Sequence, residues 1–501
     1  MEFDKVIVLF KRDLRVFDHQ PLLIASKLAK EVLPLYVYEP EYWSLEDTSL
    51  RHWSCVFSAL VDLNNYLKDL GHGLVVEKGD INKILRSLKA KYNYSAIFCH
   101  EETGNAWTYD RDKKLRRFCR ESNITLNEYP QFGVLRPLSH RNNYSKLAKG
   151  IVIRSLYPKV TGIKCSYFQN YCWEKKLVPS IKPPLPVGRR FAVTRLKKFL
   201  NESSRFYLGG ISSPNKAEKY SSKISVYLSY GLLSMSEVFF AVDQKIKELK
   251  FSSLQIDHKY WIRSLNAFKS RLHWHCHFIQ KLESEPRIEY ENLHYSSNTI
   301  RQESFNEEYF KAWCQGLTGY PLVDACMRCL NKTGWINFRM RAMLVSFSSY
   351  HLWLHWVRPA QYLARQFVDY EPGIHYCQFQ MQSGTTGINA IRIYNPIKQS
   401  IDQDPDGEFI RKWVPELRTL SKEKIHDPNL HDSGLNYPSA IVDNKKAMDY
   451  ARQAVWTIRK SNDAKKESKK IMEKHGSRKK RKEKPVKKNV LQSPLFPNFI
   501  D

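Results

Sequence analysis

One short run, His273-Trp274-His275-Cys276-His277, sets three imidazoles, an indole and a thiol side by side. His273 and His277 stand four residues apart and share one face of a helix, a spacing that suits a metal ion or proton transfer. A histidine-rich packing helix carries the same pattern, and Trp274 suits a core as well as it suits stacking on a base. A second constellation is the C-x-x-C of Cys326 and Cys329. It falls inside an apolar helical pattern with no further pair at metal spacing, so structural thiols are expected there and no metal. A third is Tyr220-Ser221-Ser222-Lys223-Ile224-Ser225, hydroxyls and a cation that on their own read as a helix N-cap.

The patterning of the chain says what must hold these groups. Over residues 1–130, apolar β-branched runs at Lys5–Phe10, Glu31–Tyr38, Gly73–Glu77, Tyr94–His100 and Ile124–Tyr129 alternate with helical patterns such as Leu50–Leu70 and Asp110–Glu121. Strands separated by helical crossovers predict a doubly wound, Rossmann-like α/β domain. No G-x-G-x-x-G follows the first strand, which argues against a dinucleotide held in the usual Rossmann manner. Residues 131–198 are irregular and carry Pro179, Pro183, Pro184 and Pro186, predicting an inter-domain connector. From 199 to 456 the pattern predicts an all-helical domain, and residues 457–501 a basic, disordered tail.

Charge bounds the partner. The net charge is +29, of which Lys465–Lys488 supplies +10 from 13 Lys/Arg and 3 Glu, leaving +19 on the rest. A body this basic predicts a polyanionic partner, with a mere solubility surface as the alternative. The tail suits nucleic-acid contact or a nuclear import signal, or is a solvated helix extension. No apolar run is long enough to span a membrane and no leader pattern opens the chain, so a soluble, non-secreted protein is expected. That means the cytoplasm in a prokaryote, or the nucleus in a eukaryote if the tail is an import signal.

Four words in fixed order are the strongest signal: TGYPLVDACMR at Thr318–Arg328, TGWINFRMR at Thr333–Arg341, RIYNP at Arg392–Pro396 and DGEFIRKWVPEL at Asp406–Leu417. With Phe10-Lys11-Arg12-Asp13-Leu14-Arg15 and Asp18 after the first strand, the chain resembles the photolyase/cryptochrome family. That family uses blue light to move one electron to or from a buried FAD, either to repair ultraviolet-damaged DNA or to signal. The resemblance implies FAD in the helical domain and an α/β domain that often seats an antenna chromophore, a folate or a deazaflavin. It further implies a monomer acting as a light-driven lyase on damaged single- or double-stranded DNA. The alternative is a cryptochrome-type photoreceptor with a signalling partner.

The same resemblance assigns residues. Ser221, Ser222, Lys223, Ile224 and Ser225 stand where the family has T-S-R-L-S, with Tyr207 upstream, and would grip the FAD diphosphate. Lys223 replaces an arginine and loses its planar fork. Asp369, Tyr370 and Glu371 fill a D-x-D slot, with Arg341 paired to the first acid beside the isoalloxazine. Asn266 and Arg271 match two further pocket positions, and His375 is the nearest polar candidate for an asparagine facing the flavin. Trp356 matches the middle tryptophan of the family's electron relay. The inner place falls on Tyr376 or Cys377 and the outer on Glu303, so Tyr376 or Trp353 is the expected substitute carrier. Arg339, Arg392 and Gln399 fall where relatives touch DNA.

The substrate cavity departs from the family. Where dimer-repairing members carry a glutamate, a tryptophan and an asparagine, this chain has Ala267, Ser270 and Phe338. The histidine pair of (6–4) photolyases is missing as well, with Phe338 and Ala342 in its neighbourhood. Losing an acid that hydrogen-bonds a flipped lesion removes about 2–4 kcal/mol of differential binding. The expectation is therefore an FAD protein with a remodelled pocket.

Overall fold

The structure is a computed structural model that describes residues 2–138, 141–167, 173–251, 256–301, 305–427 and 434–476. Five strands, β1 (Phe3–Phe10), β2 (Ala29–Tyr38), β3 (Val75–Lys78), β4 (Ala96–His100) and β5 (Thr125–Tyr129), form one parallel sheet in the order β3-β2-β1-β4-β5. Val6 of β1 lies opposite Val32 of β2 and Ala96 of β4. The two-residue period decides which side chain goes where. Val6, Val8 and Phe10 enter the core beneath one face, and Ile7 and Leu9 the core beneath the other.

Helices α1 (Gln20–Leu28), α2 (Leu50–Asp69), α3 (Ile81–Tyr92) and α4 (Ala106–Glu121) supply the crossovers. Asp80 and Asn105 cap α3 and α4 through their side-chain oxygens. Chain order reverses between β1 and β4, so their carboxyl ends open a crevice, the usual place for a ligand in such a sheet. The turn Lys11–Asp13 and the segment His100–Glu102 line it.

The connector is less irregular than its prolines suggest. It contains α5 (Tyr144–Val152), α6 (Trp173–Leu177) and α7 (Arg189–Lys198), and Trp173, Leu177 and Leu196 join the core shared with the sheet. Next come α8 (Ser225–Ser229), α9 (Met235–Phe251), α10 (Ile256–Ser284), α11 (Pro321–Thr333), α12 (Phe338–Ser346), α13 (Val357–Gln366), α14 (Pro372–Ser383) and α15 (Pro396–Gln403). A separate core of Leu322, Met327, Met340, Leu344, Trp356, Leu363 and Phe379 fastens α11 to α14 together.

The expected tail boundary needs correction. Residue 457 falls inside α16 (Asn444–Lys460), and α17 (Asn462–His475) follows with Ala464, Ile471 and His475 buried. An apolar residue at 464 and another at 471 give the segment one stripe to bury, which its charge count conceals. Residues 477–501 lie outside the described ones.

Candidate functional site

The loop between α13 and α14 and the first turns of α8 and α12 meet at one carboxylate. Asp369 Oδ2 accepts from Arg341 Nη2 at 3.0 Å and from Ser225 Oγ at 2.7 Å. The Arg341 guanidinium lies over the Phe367 ring, 4.1 Å from its centre, which fixes the fork. The expected Arg341–Asp369 pair is present. Ser225, expected at a diphosphate, is tied to that acid instead.

Neighbouring groups converge on the same region. The backbone carbonyls of Ser221 and Ser222 accept from Arg195 of α7 at 2.7 and 2.8 Å. The Asn337 amide donates to the carbonyls of Ile211 and Ser212. Tyr207 is buried against the Arg271 guanidinium. Lys223 adopts φ +52 and lays its ammonium 4.7 Å over Trp335, while Ile224 is buried. Asn266 is the exception. It is exposed on the side of α10 opposite Ser264 and Phe268, which face the segment carrying Tyr207.

The other two members of the D-x-E slot turn outward to the α/β domain. Glu371 forms an ion pair with Arg12, on the turn after β1. Tyr370 donates to Asp47 Oδ2 at 2.5 Å, and its ring stacks 5.8 Å from His52. Tyr376 donates to the same oxygen at 3.3 Å, and Asn105 donates to both Asp47 oxygens. Burial raises the Glu289 carboxyl to about 7 in this neighbourhood, where the charge of Asp47 adds to the effect and the Ala106 N–H opposes it.

The aromatic residues also have definite neighbours. Trp356 is buried, donates to Asn292 Oδ1 at 2.7 Å and stands 6.5 Å from the Tyr376 ring, which stands 6.4 Å from Tyr370. His375 Nε2 donates to the Ala360 carbonyl at 2.9 Å, and burial pushes its pKa down to about 4. Cys377 is buried against the Phe278 carbonyl, and Glu303 lies outside the described residues. Trp353 carries the Arg301 guanidinium over its ring at 4.8 Å and packs on Tyr450.

On the outer side of α12, Phe338 is 41% exposed. Arg339 Nη1 reaches Gln399 Oε1 at 3.4 Å, and Arg392 is exposed beside Tyr394. The histidine run goes elsewhere. His273 packs on Phe239, His275 on Phe132, and His277 Nδ1 accepts from Arg141 at 2.9 Å. Burial lowers the three to about 4, 3 and 3, so all are neutral near pH 7. Among the described residues Asp13, His19 and His100 could gather round a metal ion. Both imidazoles already donate to Asp13 Oδ2, at 2.9 and 2.6 Å, which accounts for the cluster.

Two family models match the chain, "DNA photolyase" over residues 6–151 and "FAD binding domain of DNA photolyase" over residues 268–457. The chain belongs to the photolyase/cryptochrome family. It is 27% identical over 468 residues to a deoxyribodipyrimidine photo-lyase of Vibrio cholerae, covering 88% of this chain and 97% of that one. A cryptochrome DASH of Gloeobacter violaceus is 24% identical over 491 residues, covering 88% and 94%. The crystal structure of an archaeal photolyase from Sulfolobus tokodaii, described with two FAD molecules, superposes with a TM-score of 0.75 at 26% identity, over 90% of this chain and 99% of that one.

The helical half of this photolyase/cryptochrome member is thus an FAD-binding domain, and its chemistry fits the cofactor. Ser221 Oγ, Asn337 Oδ1 and Asp369 Oδ1 are buried without a hydrogen-bond partner, and all three lie in that half. Buried acceptors and hydroxyls left open in this way are rare unless a ligand completes them. The sequence motifs did not point to Arg195 or Asp47, and they contained Arg12 and Asn337 without assigning either a role. Asn337 stands immediately before Phe338 in the T-G-W word.

Proposed function

We propose that this protein is a DNA photolyase-like enzyme that repairs ultraviolet lesions through a remodelled substrate surface. The observation that carries the reading is the geometry of α12. Phe338 and Arg341 are three residues apart and share a helix face, so an exposed aromatic ring sits one turn above the arginine that holds Asp369. Arg339, the residue after Phe338, and Arg392 both lie close to Tyr394 and bring positive charge there.

The chemistry that bound FAD supplies is light-driven one-electron transfer. Ser221 and Ser222, carried on loops fixed by Arg195, would hold its diphosphate, and Asp369 with Arg341 would set the charge at its ring. Arg392 and Arg339 would take backbone phosphates, giving salt-dependent affinity with little sequence readout. Phe338 would stack on an unpaired base, a contact worth about 1–3 kcal/mol. A flipped lesion costs less to unstack than an intact pair, which favours damage over normal DNA.

A second chromophore would take the crevice beside β1 and β2, between Tyr42, Trp43, Glu39 and Arg111. Its free volume is about 70 Å³, below the roughly 300 Å³ of a small-molecule site, so Tyr42 and Trp43 would have to move.

The test is repair under blue light. Purified protein with reduced FAD is illuminated on irradiated single- and double-stranded DNA, and cyclobutane and (6–4) lesions are counted separately. Loss of either class in light and not in darkness is expected. If neither declines, the enzyme reading fails in favour of a photoreceptor, the reading that Ala267, Ser270 and Phe338 support. Phe338→Ala should weaken lesion binding about tenfold while the FAD spectrum stays unchanged.

A further inference from the structure

A concentration of unpaired charge lies on α17, away from the site above. The inner stripe of this helix is fastened. Ser461 caps it, its Ala464 carbonyl accepts from His294 at 3.1 Å, and Glu467 accepts from the Tyr295 and Ser296 N–H groups at 2.6 and 3.1 Å. Lys474 and His475 both reach Glu285. The opposite side presents Lys465, Lys466, Lys469 and Lys470, all exposed and none with an ion-pair partner among the described residues, and Glu473 closes that side. Lysines at 465 and 469, and at 466 and 470, are like-charge pairs at i,i+4, which weaken a helix by a few tenths of a kcal/mol each. A helix kept only for packing has no need of them.

The helix has a fixed place relative to Arg392. Ser468 donates to the Gly387 carbonyl at 3.1 Å, and Arg459 at the end of α16 donates to the carbonyls of Asn389 and Gly384. Gly387 has φ +72, and a Cβ there would come 2.2 Å from the His294 ring, so the loop lies tight against the base of α17. Ile391 and Ile393 pack with Ala451 and Val455 of α16, leaving Arg392 exposed between them. Five extended residues reach at most about 17 Å, so Arg392 lies within roughly half a turn of duplex from Gly387.

We propose that the lysine side of α17 is a second contact surface for the sugar–phosphate backbone of nucleic acid, engaging the strand that flanks the one held at Arg392. The surface rests on nucleic acid being the substrate class of the site above, and not on any lesion. An anionic lipid surface suits it less, because the apolar stripe of α17 is spent on the protein and no second apolar side remains for insertion.

The experiment combines Lys465→Ala, Lys466→Ala, Lys469→Ala and Lys470→Ala in the full chain, leaving Ala464 and Ile471 in place. Binding of a labelled 40-base-pair duplex, with and without ultraviolet damage, is measured from 50 to 300 mM KCl. Each phosphate contact adds about 0.9 to the slope of log K against log salt, so with one contact per lysine the slope should fall by about 3.6. Helicity and bound FAD should equal those of the parent, and the four-fold glutamate variant should weaken binding further. An unchanged slope overturns the proposal. So does lysine-dependent sedimentation with phosphatidylserine vesicles in a variant that still binds DNA like the parent. Equal binding of damaged and undamaged duplex would undo the repair reading and leave this surface standing.

Discussion

Asp369 is the residue on which the proposed cofactor site turns, because one of its oxygens is used twice and the other not at all. Oδ2 serves Arg341 and Ser225, while Oδ1 is buried with no partner. Asp369→Asn keeps the shape and removes the charge that Arg341 faces. The expected effect is a loss of about 2 kcal/mol in FAD affinity, some thirtyfold, since hydrogen bonds to charged groups contribute about 1.5–3 kcal/mol. The ratio of flavin to protein absorbance after dialysis measures it, and full retention would place Asp369 outside the cofactor's reach. The sequence made this pair legible because both residues sit inside recognisable words. It did not disclose Arg195, whose contacts with Ser221 and Ser222 are backbone carbonyls and leave no side-chain pattern to read.

At the scale of elements, the interface between sheet and helices is organised by acids whose partners no local pattern marks. The strands were legible as short apolar, β-branched runs, since burial on both faces demands them. Arg12 and Glu371 are 359 residues apart, and Tyr370 and Asp47 323, so neither pairing has a periodic signature. Asp47, Tyr370, Tyr376 and Glu289 form a cluster in which burial raises Glu289 to about 7. Above pH 4.5 the unfolded chain gives up that proton while the folded protein keeps it. The stabilisation from Glu289 is therefore complete below pH 4.5 and is lost as pH rises towards 7, by at most about 3 kcal/mol. Glu289→Gln should show higher stability than the parent at pH 7 and a smaller difference at pH 5, read from urea midpoints. Equal differences at the two pH values would mean that Glu289 ionises as an ordinary surface acid.

Across the whole molecule the opposite sign prevails, and histidines set it. His52, His273, His275, His277 and His375 are held neutral by burial, at about 4, 4, 3, 3 and 4. Their unfolded counterparts bind protons near pH 6.5. Each depressed pKa contributes stability that is present above 6.5 and is lost as the pH falls towards 4, because the unfolded chain takes up protons that the folded protein refuses. One proton is worth about 1.4 kcal/mol per pH unit, so the buried rings of His52, His275, His277 and His375 outweigh raised carboxyls such as Glu289 and Asp324, the latter pushed up to about 6. Against a total stability of roughly 5–15 kcal/mol, a fall of two pH units therefore removes a large share of it. His52 lies where the two halves meet, stacked on Tyr370, and His275 and His277 face the connector through Phe132 and Arg141. Acid should therefore open the junction between sheet and helices and release FAD together with the tertiary signal. Thermal midpoints and free flavin fluorescence between pH 7.5 and 5 check this. His275→Gln, which takes one titrating ring out of a dry site, should flatten the slope by about one proton, whereas a midpoint constant down to pH 5 would show that water or rearrangement lets these imidazoles protonate in place.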